Sequence, residues 1–131
     1  MSQRPIEYPF PDDPSATDYR VFPPELEDDD HVFFHGTSDA HRASILAGGF
    51  RIPSPPLATS VSFAKTSSLS LRYASEARSD SSPAGCIFAV RYEDLTRKGL
   101  KIEVSMLHDY TLDPPPLILG YCVVPVAYRH I

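Results

Sequence analysis

The chain has no apolar run approaching the roughly 20 residues that a helix needs to cross a bilayer, so no membrane partner is expected. Its start, MSQRPIEYPFPDD, lacks the basic opening and apolar centre of a secretory signal. The expected address is therefore intracellular: cytoplasmic, with the nucleus left open. Cysteine is scarce. Cys86 and Cys122 each sit inside an apolar run, GCIFAV and GYCVVP, and lack the spacing or histidine company of a zinc site. We expect two small buried thiols in a reducing compartment and no metal. There is no basic run and no interleaving of basic with aromatic residues, the pattern of a nucleic-acid surface. No internal repeat is visible. With 131 residues the chain is too short for two ordinary domains, and one domain, acting as a monomer, is expected.

The charge that is present is unevenly placed. Residues 1–30 hold nine acidic residues against Arg4 and Arg20, a net of -7, while the remainder carries ten basic and eight acidic residues, a net of +2. A mildly positive body suits a phosphate-bearing ligand better than the total of -5 suggests. Six prolines break any periodicity in residues 1–30, which read as an acidic leader without a core of its own. Tyr8, Phe10, Tyr19 and Phe22 are many aromatics for a free tail, so two readings stand: an extended tail, or a segment packed on the body formed by residues 31–131.

The body opens on VFFHGT, Val32 to Thr37, an apolar run that ends in a histidine, a glycine and a hydroxyl residue. This reads as a buried strand whose last groups are delivered to a cleft. Thr37 or Ser38 can cap a short helix through Ala40, Ile45 and Leu46, which Gly48-Gly49 then ends. Phe50 to Ile52 reads as a short strand, IPSPPLATS as a proline-rich loop, and Ser60 to Ala64 as a half-buried strand. Thr66 is a cap for a second helix, Ser67 to about Arg78, with Leu69, Tyr73 and Ala77 on its apolar side. Gly85 to Tyr92, Leu100 to Val104 and Leu117 to Val124 are strands, and residues 105–116 a loop over the body. The element order suggests an α+β domain with a mostly antiparallel sheet.

FHGT followed by a helix ending in glycine, then SVSFA, then a helix carrying Ser70 and Tyr73, resembles the catalytic domain of the diphtheria-toxin-like ADP-ribosyltransferases, which include the poly(ADP-ribose) polymerases. The likeness spans about Val32 to Val124 and implies a split antiparallel β-sandwich with two short helices. It implies NAD as co-substrate, with no metal. By that likeness His35 bonds a ribose hydroxyl on the adenosine side of NAD, with Thr37 following on the same strand. The Gly36 backbone bonds the nicotinamide carboxamide, where a residue without Cβ lets the ring approach. Ser70, seven residues beyond Phe63, gives its hydroxyl to the carboxamide oxygen, and Tyr73 stacks on the nicotinamide ring.

The chain departs from the family in two places. Ser62 stands where the family has a tyrosine, and aligning LILGYCVV with the family's late strand puts Gly120 where its glutamate stands. The glutamate stabilises an oxocarbenium-like state, and losing one such group typically costs on the order of 2.7 to 4 kcal/mol. Asp109 and Asp113 could supply the carboxylate instead, as an aspartate does in the small rifamycin-modifying transferases that the chain also resembles, and Glu103 is the third candidate. The expected function is mono-ADP-ribosylation of an unidentified protein, nucleic acid or small molecule. The alternative is an inactive module of the same fold that binds NAD or ADP-ribose.

Overall fold

A computed structural model describes residues 5–52 and 60–130. Its strands are β1 (Ile6–Tyr8), β2 (Val32–Ser38), β3 (Val61–Ala64), β4 (Gly85–Arg91), β5 (Leu100–Ile102), β6 (Met106–Asp109) and β7 (Leu117–Val124). Its α-helices are α1 (Pro24–Glu27), α2 (Arg42–Gly48) and α3 (Ser67–Glu76), with short 3-10 turns at Pro14–Thr17 and Asp39–His41. The strands form one mixed sheet in the order β1-β7-β4-β2-β3-β6-β5. β1 runs parallel to β7, and every other pairing is antiparallel. The class is α+β.

β2 is apolar throughout its first half because both of its faces are covered. Alternate residues of a strand point to opposite sides. Val32 and Phe34, with Ile87 and Ala89 of β4, join a core containing Val21, Phe22, Leu71 and Ala74. Phe33, with Cys86, Phe88 and Val90 of β4, joins a second core with Phe50, Phe63 and Leu107. Both cysteines are free and buried, and burial pushes each thiol up to about 12.

The described part of the leader belongs to the first core. Phe22 stacks on Phe34 at 5.4 Å, and Val21 and Phe22 are buried. The Ser67 hydroxyl at the start of α3 accepts from the Val21 N–H at 3.0 Å and donates to the Glu27 carboxylate, which also accepts from the Phe22 N–H. Burial, more than these bonds can offset, raises the Glu27 carboxyl above its ordinary range.

The capping chemistry appears where the residues suggest it: Ser38 accepts from the Ala40 N–H, Thr66 accepts from the Leu69 N–H, and Gly49 ends α2 at a φ of 79°. Three expectations are corrected. Residues 50–52 form no strand; Phe50 turns its ring into the second core instead. Residues 105–116 are not all loop, since β6 pairs with both β3 and β5. Helix α3 buries Ser67, Ser70, Leu71 and Ala74 rather than Leu69, Tyr73 and Ala77, because Ser70 and Ala74 lie close against Gly36 of β2 and Leu71 packs into the first core. Most of the IPSPPLATS segment lies outside the described residues.

Candidate functional site

Between β2 and β3 the sheet is barely continuous: the two strands pair at Phe34↔Ala64 alone among the described residues. Past that point they diverge, and the His35 side chain fills the gap, its Nδ1 lying 2.8 Å from the Ser62 carbonyl oxygen. A carbonyl can only accept, so Nδ1 carries the proton of the neutral ring and Nε2 is left as an acceptor. The ring is packed edge-on against Phe50 at 5.1 Å and tilted against Phe63 at 5.5 Å. Burial lowers the imidazole below its ordinary value, outweighing the Ser62 carbonyl that opposes it. His35 is thus neutral at physiological pH and offers one lone pair.

Two cavities lie on either side of this contact, and both are lined by His35 and Ser62. The first, about 450 Å³, is lined also by Thr37, His41, Ser44, Phe50 and Arg51. The second, about 570 Å³, is lined by Gly36, Ser70, Tyr73, Glu103, Met106 and His108 among others. Each falls in the size range of small-molecule sites, roughly 300–1,000 Å³. The two cavities share a wall formed by His35 and Ser62.

Helix α3 supplies one side of the second cavity. Ser70 and Tyr73 stand three residues apart and so face the same way. Ser70 is fully buried, and its hydroxyl has no hydrogen-bond partner among the described residues. Buried polar groups are normally paired, so this hydroxyl is a group waiting for one. Tyr73 is 41% exposed and lines the second cavity. Gly36 brings strand and helix together: a Cβ there would sit 2.0 Å from the Ser70 carbonyl oxygen and 2.8 Å from the Ala74 nitrogen. Its lack of a side chain is required by α3, quite apart from any ligand.

The opposite side comes from β3, β6 and the turn before β6. Ser62 pairs with His108 in the β3–β6 register, and Ser62 Oγ lies 2.7 Å from His108 Nδ1. Glu103 Oε1 lies 3.1 Å from His108 Nε2, with Lys101 Nζ at 3.8 Å from the same oxygen. Glu103 therefore shares a cavity with His35, Ser70 and Tyr73.

The other candidate acids and Gly120 are not brought to these cavities. Asp109 is fully buried at the end of β6, where Oδ2 accepts from the Arg97 guanidinium at 2.5 Å and the Tyr92 hydroxyl at 2.9 Å, and Oδ1 accepts from the Thr111 and Leu112 N–H groups. Burial alone would raise this carboxyl; the Arg97 bond, helped by the backbone donors and Tyr92, overrides it and holds it below the ordinary range. Asp113 is exposed in the loop before β7 and lines neither cavity. Gly120 lies on β7 between Ala89 of β4 and Ile6 of β1. A Cβ there would meet the Tyr8 ring at 2.5 Å and the Ile6 carbonyl at 2.6 Å. Its role is to admit the leader strand.

Sequence reasoning missed His108, His41 and Arg51. The alternation in MLHD was a usable signal for a strand, but the prolines at 114–116 hid it. Among the described residues, no group of three or more His, Cys, Asp or Glu is placed to hold a metal ion, and no helix is long and apolar enough to cross a membrane. A scan against protein-family models finds no match, and a search of curated proteins finds none.

Proposed function

We propose that the chain is a mono-ADP-ribosyltransferase with an ADP-ribosyltransferase-like split sheet, which cleaves the nicotinamide–ribose bond of NAD and passes ADP-ribose to an acceptor. The observation that carries this reading is the convergence of four groups on one cavity: the neutral His35, the unpartnered Ser70 hydroxyl, the Tyr73 ring and the Glu103 carboxylate. A flat amide-bearing ring needs a stacking face and a polar group at its edge. Tyr73 supplies the first and Ser70 the second, while the β3-facing edge of Gly36 has no ladder partner among the described residues and is open to a carboxamide.

NAD then lies across the shared His35–Ser62 wall, with nicotinamide in the cavity of Tyr73 and the remainder towards Arg51 and His41. His35 Nε2 accepts from a ribose hydroxyl. Glu103 stands on the nicotinamide side, where a carboxylate bonded to the ribose 2'-hydroxyl stabilises the positive charge that grows as nicotinamide leaves. A preorganised group of this kind is worth on the order of 2.7 to 4 kcal/mol. Under this reading Glu103, rather than Asp109 or Asp113, is the acid, because both oxygens of Asp109 are already engaged.

The test is a pair of measurements. NAD raises the melting temperature of the wild type, and Tyr73→Ala abolishes the rise. Nicotinamide is released from NAD by the wild type above the buffer blank, and His35→Ala lowers the rate. A thermal shift without release leaves a binding module of the same fold.

A further inference from the structure

We propose that Ser62, His108 and Glu103 form a proton relay that takes the proton of the acceptor during the transfer; this rests on the NAD reading above. Ser62 lines both cavities, so a ligand that spans them passes it. The direction of the relay is set by the partners. A carboxylate oxygen can only accept, so the neutral His108 tautomer that bonds Glu103 Oε1 at 3.1 Å is the one with its proton on Nε2. Nδ1 is then a bare lone pair and takes the Ser62 O–H at 2.7 Å. A base aimed at a hydroxyl and oriented by a carboxylate is the general arrangement by which a weak nucleophile is activated.

The step balances as follows. The bond from the nicotinamide nitrogen to the ribose carbon breaks, and nicotinamide leaves with the electron pair. The acceptor oxygen, water or another hydroxyl, bonds to that carbon. Its proton moves to Ser62 Oγ while the Ser62 proton moves to His108 Nδ1, and the imidazolium formed is stabilised by Glu103. Oε1 of Glu103 holds His108, which leaves Oε2 for the ribose hydroxyl. The charged and titratable groups around His108 are Glu103 from the turn before β6 and Lys101 opposite it on β5, with His35 on β2 and Tyr73 on α3 lining the same cavity.

The experiment measures nicotinamide release from NAD across pH, with water as acceptor, in the wild type, Ser62→Ala, His108→Gln and the double variant. The NAD-induced rise in melting temperature is measured in each. Each single variant is expected to slow release by about 100-fold, the lower end for general-base catalysis. The double variant is expected to fall no further than the worse single one, since the groups act as a unit. The melting-temperature rise persists in all, and His108→Ala regains rate with added imidazole. Release within twofold of wild type in both single variants, losses that multiply in the double variant, or no rescue by imidazole would overturn the relay while leaving NAD cleavage intact. A wild type that neither binds nor cleaves NAD overturns both readings.

Discussion

Gly36→Ala tests how tightly the site is built into the fold. Its Cβ would lie 2.0 Å from the Ser70 carbonyl oxygen, 2.9 Å from the Ser70 carbonyl carbon and 2.8 Å from the Ala74 nitrogen. All three are backbone atoms, so no rotamer change relieves them. Ordinary contact begins at 3.4 Å, so α3 must move away from β2 by about 1.4 Å, well beyond what a packed interior absorbs freely. Gly36 has no positive φ, so the penalty is purely steric. Overpacking costs typically about 1–3 kcal/mol, and rigid backbone obstacles put this case at the upper end. At a few degrees per kcal/mol for a chain of this size, the melting temperature should fall by about 10 °C. The same displacement carries Ser70 and Tyr73 away from His35, so under the proposed function any NAD-induced thermal shift should also disappear. The assay is thermal unfolding with and without NAD. A variant melting within about 2 °C of wild type, well inside a 1 kcal/mol effect, and still answering to NAD would refute the packing argument.

Other perturbations bear on separate parts of the molecule. Asp109→Asn leaves Arg97 buried against a neutral partner and should cost about 3–5 kcal/mol. The Asp109 carboxyl is held below its unfolded value of 3.8, so its stabilisation is present above that pH and is lost as pH falls through the depressed value. Urea midpoints measured against pH should therefore show a smaller acid loss in the variant. His35, also lowered, behaves differently: the unfolded ring takes a proton near 6.5 while the folded one resists it. Stability should rise with pH between the folded value and 6.5 and level off above it, and His35→Gln should remove that slope. Phe22→Ala removes the leader ring stacked on Phe34 and should cost about 3–5 kcal/mol in a denaturant titration; a change under about 1 kcal/mol, the size of an ordinary surface substitution, would mean the leader adds little to the core.

Local chemistry was the legible part of the sequence. Thr66 and Ser38 announce their helix starts through a hydroxyl and Gly49 its helix end through φ, because each effect is decided within four residues. β7 is bounded as its apolar run suggests. What could not be read depends on which distant segments meet. β6 is four residues long beside a proline-rich loop, and its pairing with β3, which brings His108 to Ser62, rests on contacts 46 residues apart. Tyr73 was assigned to the buried face by spacing, but the approach of α3 to Gly36 selects small residues instead. Gly120 occupies an apolar strand that looks suited to a catalytic acid, yet its neighbours are Tyr8 and Ile6, which a reading of residues 1–30 as a tail could not supply. Glu103, one of three candidate acids in the chain, is singled out by sharing a cavity with His35.

The central claim is that Glu103 supplies the carboxylate for cleaving NAD in the cleft of His35, Ser70 and Tyr73. Nicotinamide release from saturating NAD by the wild type and by Glu103→Gln, with the NAD-induced melting-temperature rise recorded for both, tests it most directly. The account predicts release by the wild type, a loss of about 100-fold or more in Glu103→Gln, and an unchanged thermal shift. Release at the buffer blank in the wild type, or equal release by both proteins, would contradict it.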